Sequence, residues 1–268
     1  MESAATRSGA LADTPQLNKP RIGVVNYLNA YPLWAALEND NRIELVRGVP
    51  SFLARELEAD RLDAALISSV EYLRHRAQFV CHPDLCIAAR NESYSIRLFA
   101  AEASQPFAEH AGTLRRIFTD AASRSSVAQL SVILREIGIS VPFEEVSDAA
   151  DRIPRLAAGE ALLAIGDTAL NHLRYPSYDM QTEYYRLFHR GFVYALWVYV
   201  PQKASQLAPV LASAHRAYLE NREQYLHRAI ERFAFPADFT RHYLTAVIEH
   251  ELTSERLADL EFFGSKNI

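Results

Sequence analysis

One arrangement recurs four times along this chain and limits the folds that are open to it. A short apolar strand ends in small or polar residues, and a helix begins at once. Strands that alternate with helices in this way predict an α/β architecture with mostly parallel sheets. In such sheets, ligands bind beyond the carboxyl ends of the strands, where helix N-termini come together. The four junctions are Asn29 to Pro32, Ser68-Ser69, Ser125-Ser126 and Gly166-Asp167.

The first junction lies in the segment RIGVVNYLNAYPL, Arg21 to Leu33. Its apolar residues predict a buried strand. Pro32 is tolerated in a first helical turn, because the amide hydrogen that proline lacks would have no partner there. Asn29 has two interpretations, a helix N-cap or a polar side chain of a small-molecule site. Capping explains each junction when it is taken alone.

Taken together, the four junctions favour a cleft for a small anion. Helix N-termini present unpaired N–H groups and a partial positive charge, which suit carboxylates. Serine hydroxyls add donors without bulk. Asp167 fits this cleft least well, because a carboxylate repels an anionic ligand, so it is first a cap or hinge residue and second a site residue.

The composition excludes several classes of function. The chain of 268 residues has a net charge of −5 and no run of Lys or Arg, which argues against nucleic acid as a partner. No apolar run reaches the length that spans a membrane. Cys81 and Cys86 lack the second Cys or His pair of a zinc site, so no metal is expected. The oligomeric state stays open.

The two ends of the chain have different patterns. Residues 1–20 are rich in small and polar residues and have no apolar core of a secretory signal, which predicts a disordered leader. From Ala204 onward the pattern is almost wholly helical, with Pro236 as a break. The histidines of this region are expected at the helix surfaces and not as ligands; they are His215, His227, His242 and His250.

Five blocks carry a resemblance to a known family. From Arg21 to the C-terminus, in order and approximate spacing, the chain resembles the chorismate dehydratases of the futalosine branch of menaquinone biosynthesis. The blocks are RIGVVNYLNAYPL, LDAALISSVEYLRH (Leu62 to His75), SRSSVAQLSVIL (Ser123 to Leu134), LLAIGDTAL (Leu162 to Leu170) and FVYALWVY (Phe192 to Tyr199).

The resemblance implies a two-lobed type II periplasmic-binding-protein-like fold. Two α/β lobes would be joined by crossing hinge strands, with the substrate between them and a helical C-terminal segment. Residues 21–98 and 199–268 would form lobe one, and residues 99–198 lobe two. A cytoplasmic enzyme is implied.

The activity implied is that of a hydro-lyase without a cofactor. It would remove water from chorismate, a small dicarboxylate, and give 3-[(1-carboxyvinyl)oxy]benzoate. The implied catalytic residues are Asn29 and Ser95. The substrate-binding residues predicted beside them are Tyr27, Ser68, Ser69, Ser125, Ser126 and Asp167.

The role of Asn29 follows from its chemistry. An amide cannot act as a base at neutral pH, so Asn29 would orient the substrate or hydrogen-bond to it. The base is then either another group of the protein or a carboxylate of the substrate.

Two segments depart from the family pattern. Residues 88–91 read Ala-Ala-Arg-Asn where the family has serine–serine–x–glycine, and residues 189–191 read His-Arg-Gly where it tends to have Gly-Leu-Pro. These changes concern substrate placement and not the fold. Two other functions stay open: a non-catalytic protein that binds a small carboxylate on the same scaffold, and the related enzyme of the pathway that acts on a larger, nucleoside-derived substrate.

Overall fold

The computed structural model describes residues 19–120 and 124–266. The predicted leader, apart from Lys19 and Pro20, lies outside the described residues, as does Ser123. The strands are β1 Arg21–Val24, β2 Glu44–Arg47, β3 Ala64–Ser68, β4 Val80–Ala89, β5 Ile96–Ala100, β6 Arg116–Asp120, β7 Phe143–Val146, β8 Glu160–Ile165, β9 Ser177–Asp179, β10 Phe192–Tyr199 and β11 Ile248–Glu251.

The helices alternate with these strands through most of the chain. They are α1 Tyr31–Trp34, α2 Pro50–Glu58, α3 Ser69–His75, α4 Phe107–Ala111, α5 Arg124–Glu136, α6 Ala149–Arg152, α7 Gly166–Asn171, α8 Met180–Phe188, α9 Pro201–Glu220, α10 Arg222–Phe233, α11 Ala237–His242 and α12 Ser254–Gly264. Short 3-10 turns cover Leu28–Ala30, Ala35–Leu37 and Ile153–Arg155, and a π-helical turn covers Tyr243–Val247.

The strands form two mixed sheets. The first has the order β11-β4-β10-β3-β1-β2 and the second the order β7-β6-β8-β5-β9. Strand β1 is parallel to β2 and β3, and β6 is parallel to β7 and β8, whereas the pairs that involve β4, β5 and β10 are antiparallel. The expectation of mostly parallel sheets is therefore wrong. Strands β4, β5 and β10 flank the two crossings between the sheets, and each runs antiparallel to its neighbours in its own sheet.

The chain crosses between the sheets twice. Strand β4 ends at Ala89 in the first sheet and β5 begins at Ile96 in the second; α8 ends at Phe188 and β10 begins at Phe192 in the first sheet again. The predicted boundaries at 98/99 and 198/199 would split β5 and assign most of β10 to the second sheet. The strand pairing instead places the crossings at residues 90–95 and 189–191. The predicted boundaries differ because the partners of a strand cannot be read from a β-prone run. We propose these bounds for the two lobes.

One short stretch holds both crossing segments. The carboxylate of Asp179 accepts a hydrogen bond from the amide N–H of Tyr94 at 2.7 Å. Two residues later, Nε2 of Gln181 donates to the carbonyl oxygens of Arg90 and Arg190, at 2.6 and 3.1 Å. The start of α8 thus ties the outgoing crossing to the returning one.

The C-terminal region is mostly helical, as predicted, and Pro236 directly precedes α11. It is not wholly helical, because β11 pairs antiparallel with β4 at the edge of the first sheet. His215 and His250 are buried, at 6% and 8% exposure, so their expected place at the surface is wrong. Backbone carbonyls of the Asn29–Pro32 segment explain their burial, since each histidine ring bonds to one of them.

The first sheet supplies the centre of the core. All five residues of β3 are buried, and Trp197 and Tyr199 of β10 are almost completely inaccessible. In the described part of the chain, no helix combines the length and the apolar composition that crossing a membrane requires.

Candidate active site

The four junctions meet at one cavity between the two sheets. Its volume is about 60 Å³, below the range of about 300–1,000 Å³ that small-ligand sites occupy, so the cleft must widen to admit a ligand. All four junctions contribute to the lining, with Tyr27, Asn29, Ser68, Ser125, Ser126 and Gly166, and Tyr194 of β10 adds a further polar residue. Apolar side chains from β1, β3, β4, β5, β8 and β10 or their ends complete the lining, among them Val25, Leu66, Ile87, Ile96, Ile165 and Ala195. The predicted convergence of strand ends therefore places these residues around one space.

Asn29 lies at this cavity and does not cap a helix. Neither the turn Leu28–Ala30 nor α1 has a side-chain cap. The Asn29 side-chain oxygen Oδ1 is buried and has no hydrogen-bond partner among the described residues. Its backbone is fixed, because Nε2 of His250 lies 2.7 Å from the Asn29 carbonyl oxygen and must donate to it. Burial lowers the pKa of His250 to about 4, so the ring is a neutral donor at physiological pH.

The serines divide into a cap and a bridge between the sheets. Ser68 caps α3, since its Oγ accepts from the amide N–H of Glu71 at 3.2 Å. Ser125, in the first turn of α5, donates to the carbonyl oxygen of Tyr194 in β10 at 3.0 Å, and its Oγ lies 3.2 Å from that of Ser69. Ser69 thus contacts a lining residue without lining the cavity itself.

Tyr27 and Gly166 face each other across the cleft. Gly166 has a φ of +55°, and a Cβ atom added to it would lie 3.1–3.2 Å from ring atoms of Tyr27. Glycine is required here for both its left-handed backbone and its lack of a side chain. Burial and the nearby carboxylates of Asp120 and Asp167 raise the pKa of Tyr27 to about 12, so its hydroxyl stays protonated.

Asp167 joins the two sides of the cleft. Its Oδ1 accepts from the amide N–H of Leu28, 139 residues earlier in the chain, at 3.0 Å. It lies directly behind Gly166 and does not itself line the cavity. Burial raises the pKa of the Asp167 carboxyl from 3.8 to about 6. A hinge or latch role therefore fits its contacts.

Ser95 lies behind the cavity wall, next to Ile96, and is 1% exposed. Its carbonyl oxygen accepts from the amide N–H of Gly166 at 2.8 Å. Its Oγ is buried without a hydrogen-bond partner in the described part of the chain. The two predicted catalytic residues, Asn29 and Ser95, thus both present an unsatisfied side-chain oxygen.

Sequence reasoning missed Tyr194, which lines the cavity, and two residues of the C-terminal region, His250 and Tyr243. Tyr243 is completely buried, and side-chain interactions with Ser95 and Asn29 act on its hydroxyl. Both residues belong to a C-terminal segment with no strand-to-helix junction, so no local signal marks them. The alternation of buried and exposed positions in Ile248–Glu251 is the one pattern that could have pointed to a strand there.

A wider cavity of about 480 Å³ lies beside the first one and opens along α2, α3 and α5. Four arginines line it, namely Arg55, Arg74, Arg124 and Arg135, together with Asp120 and Glu145. The inner cavity has no cationic side chain among its described lining residues. Cationic side chains are thus concentrated in the outer groove, whereas the inner cavity offers hydroxyl, amide and backbone N–H groups.

One group of side chains in the described part of the chain has the spacing of metal ligands: Glu58, Glu71 and His75. None of the three lines the inner cavity. Nη1 of Arg124 already binds the Glu71 carboxylate at 2.5 Å, and this carboxylate is 3% exposed. The Glu71 carboxylate therefore already has a cationic partner.

Two comparisons with known proteins match most of the chain. A family model described as menaquinone biosynthesis matches residues 20–266. A chorismate dehydratase of Thermus thermophilus is 26% identical over 262 residues, which cover 88% of this chain and 91% of that protein.

Solved structures share the fold at low sequence identity. A protein of Archaeoglobus fulgidus matches with a TM-score of 0.72 and 12% identity, covering 94% of this chain and 97% of that one. The periplasmic aliphatic sulphonate binding protein SsuA of Escherichia coli matches with a TM-score of 0.65 and 14% identity, covering 92% and 85%. The prediction of a periplasmic-binding-protein-like α/β fold is confirmed.

Proposed function

The chain belongs to the menaquinone biosynthesis family, and from that premise we propose that it is a chorismate dehydratase. It is a carbon–oxygen lyase that removes water from chorismate and releases 3-[(1-carboxyvinyl)oxy]benzoate. The relative from Thermus thermophilus carries the name of this activity. The same kinship supports a cytoplasmic location.

The chemistry asks little of the protein beyond placement. The C3–H bond gives its electron pair to the ring, the C4–O bond breaks with its pair on oxygen, and proton and hydroxide leave as water. Because the product ring is aromatic, the elimination is downhill and needs no redox partner. The enzyme must hold two carboxylates, align the two breaking bonds and exclude water.

Neutral donors of the inner cavity would hold the carboxylates. Ser126 and the first turn of α5 offer hydroxyl and backbone N–H groups, and the N-terminal end of this 13-residue helix carries a partial positive charge. The protonated Tyr27 hydroxyl adds a donor from the other side of the cleft. The arginines of the outer groove would attract the dianion towards the entrance.

The observation that carries the proposal is the state of Asn29. A buried amide oxygen without a partner is costly, and such groups are rare in folded proteins unless a ligand or water completes them. Asn29 Oδ1 is one, at the wall of a cavity built from all four junctions. We assign Asn29 to substrate orientation and Ser95 to the same reaction centre, with Tyr27, Ser68, Ser69, Ser125, Ser126 and Asp167 forming and closing the binding site.

The proton acceptor has two candidates. The cavity lining contains no carboxylate in the described part of the chain, which leaves a carboxylate of the substrate or Asp167 behind Gly166. A carboxyl whose pKa lies near 6 has a basicity suited to proton transfer near neutral pH. A substrate carboxylate would act without any help from the protein.

The direct test is turnover. Purified protein is incubated with chorismate while the absorbance of the diene is followed, and the product is identified by NMR. Loss of the diene with formation of the aromatic product supports the proposal. Chorismate that raises the melting temperature but stays intact would instead indicate a non-catalytic binding protein.

Asn29→Ala should abolish turnover while the fold stays intact. Loss of one positioned polar group at a reaction centre costs about 10²–10³-fold in kcat, and Oδ1 of Asn29 accepts no hydrogen bond from the described residues whose loss would destabilise the protein. Turnover, circular dichroism and melting temperature are compared with the wild type.

Asn26→Ala is the matched control for this variant. Asn26 lies three residues earlier and is exposed, and its Oδ1 accepts from Arg232 outside the cavity. Its turnover should stay at the wild-type level. Wild-type turnover by Asn29→Ala would overturn the assignment of Asn29.

A further inference from the structure

Tyr243 occupies an unusual position beside the reaction centre. It begins the π-helical turn Tyr243–Val247, a geometry that is rare and occurs often at functional sites. Its ring is completely buried and stacks on Phe239, with ring centroids 5.7 Å apart and planes 8° apart. It also stacks on Tyr94, which directly precedes Ser95, with ring centroids 6.4 Å apart and planes 15° apart. The ring is therefore held in one orientation by two aromatic neighbours.

The Tyr243 hydroxyl completes a set of three orphaned oxygens. Asn29 Oδ1, Ser95 Oγ and Tyr243 OH are each buried and without a hydrogen-bond partner among the described residues. The turn that Tyr243 begins packs against the turn Leu28–Ala30, and the Tyr243 ring stacks on Tyr94, the neighbour of Ser95, so the three side chains lie close together. Three unsatisfied oxygens in one place are far more costly than one, and a single small oxygen species between them would satisfy all three.

The donor and acceptor capacities of the three groups define that species. Asn29 Oδ1 only accepts, Ser95 Oγ can accept or donate, and Tyr243 OH can donate. A hydroxyl group or a water molecule matches this set, because it can donate to Asn29 and accept from Tyr243 at once. A carboxylate does not match, since it cannot donate to the amide oxygen.

We propose that Tyr243 is a catalytic residue that donates a hydrogen bond to the C4 hydroxyl of chorismate as this group leaves. The inference deepens the proposed function and rests on it. As the C4–O bond breaks, its electron pair stays on the oxygen, which takes up the proton released from C3 and departs as water. Tyr243 stabilises the developing negative charge on that oxygen and keeps its own proton. Burial raises the pKa of its hydroxyl well above the ordinary value, so the donor is present throughout the working pH range.

The test compares two Tyr→Phe variants that remove the same kind of group. Tyr243→Phe keeps the stacked ring and deletes the hydroxyl. Tyr199→Phe deletes another buried hydroxyl that has no partner in the described residues. Tyr199 pairs with Ala64, whereas Ser68, at the cavity, pairs with Ala195, so Tyr199 lies at the opposite end of β3 from the site.

In Tyr243→Phe we expect kcat for chorismate to fall about 10²-fold, with the melting temperature unchanged or raised because an unsatisfied buried group is gone. Affinity for the product, measured by calorimetry, should not change, since the product has lost the C4 oxygen. Tyr199→Phe should keep wild-type kcat. A purely structural hydroxyl would instead lower the melting temperature and weaken product binding.

Each result decides the matter. Wild-type kcat in Tyr243→Phe, or a loss of product affinity together with a lower melting temperature, overturns the inference and leaves the proposed function standing. If the wild-type protein itself leaves chorismate intact, the proposed function fails and the inference falls with it. A selective loss of kcat in Tyr243→Phe supports both.

Discussion

At the scale of single residues, the site combines fixed backbone with unsatisfied side chains. His250 holds the Asn29 carbonyl and His215 the Pro32 carbonyl, so the segment that presents Asn29 is braced from the C-terminal region. Oδ1 of Asn29 is left without a hydrogen-bond partner among the described residues. A rigid backbone with an unpaired polar group is what a preorganised site needs, because no ordering remains to be done when the substrate arrives.

The raised pKa of Asp167 predicts that the stability of the protein depends on pH. Its carboxyl has a pKa of about 6 in the folded protein against 3.8 ordinarily. The folded state holds the Asp167 proton more tightly than the unfolded state does, so protonation of Asp167 stabilises the fold. This contribution is complete below pH 3.8 and is lost as the pH rises through about 6. Above that pH the buried charge costs up to about 3 kcal/mol.

Asp167→Asn should remove this cost while its side-chain oxygen still accepts from Leu28. We therefore expect the variant to have a higher free energy of unfolding than the wild type at a pH well above 6. Near pH 3.8 the two free energies should be equal. Urea denaturation across this pH range measures the difference. A difference that does not change with pH would contradict the prediction.

At the scale of elements, the junction at the start of α7 sets the width of the cleft. The Tyr27 ring packs against the backbone of Gly166, which leaves little room for a side chain there. The φ of +55° at Gly166 is a second reason for glycine. A Cβ atom here would push the ring, and with it the Tyr27–Leu28 segment, away from α7. The two sides of the cleft would then lose their closest contact.

Gly166→Ala and Gly138→Ala separate these two requirements. Gly138 has a φ of +73° and no atom within 4 Å of an added Cβ, so alanine there costs backbone strain alone. Both variants should lose about 1–2 kcal/mol in urea denaturation, but only Gly166→Ala should raise KM for chorismate severalfold. Equal KM values for the two variants would show that contact with Tyr27 does not matter.

The junctions could be predicted from the sequence because their logic is local. A buried strand followed by a polar residue and a helix start is visible within about a dozen positions, and carboxyl ends of neighbouring strands share one edge. Lining of the cavity by Asn29, Ser68, Ser125 and Ser126 follows from that. Ser95 came from the family resemblance and not from a pattern.

The remaining features depend on partners that are distant in the chain. The segment Ile248–Glu251 contains Glu and His residues that suit a helix, and it becomes a strand because β4 offers a free edge. Tyr243 and His250 reach the site only through that pairing. The direction of β10 and the lobe boundaries likewise depend on where the chain returns from the second sheet.

At the scale of the whole molecule, few side chains join the two sheets at the cleft. Ser125 of α5 binds the Tyr194 carbonyl and lies beside Ser69, and Asp167 binds the Leu28 amide. Arg124 binds the buried carboxylate of Glu71 next to these contacts. Closure of the cleft thus depends on a small number of polar contacts that a substrate could supplement.

Ser125→Ala should weaken this closure. The change leaves one hydrogen bond of the buried Tyr194 carbonyl unmade, which costs about 1–2 kcal/mol, and small-angle scattering of the ligand-free protein should show a larger radius of gyration. Ser131→Ala is the control, because Ser131 lies on the same helix and donates only to the Val127 carbonyl within it. An unchanged radius of gyration in Ser125→Ala would argue against a role in closure.

The strand order also has a consequence for synthesis of the protein. Strands β5 to β9 come from one continuous stretch, Ile96–Asp179, so the second sheet can form as soon as that stretch has left the ribosome. In the first sheet β10 lies between β3 and β4, and both must wait about a hundred residues for it. The apolar strand β3 therefore has an unpaired edge during much of translation. The nascent chain is then most exposed to aggregation before Phe192–Tyr199 is made, and the site, which needs Tyr243 and His250, is completed last.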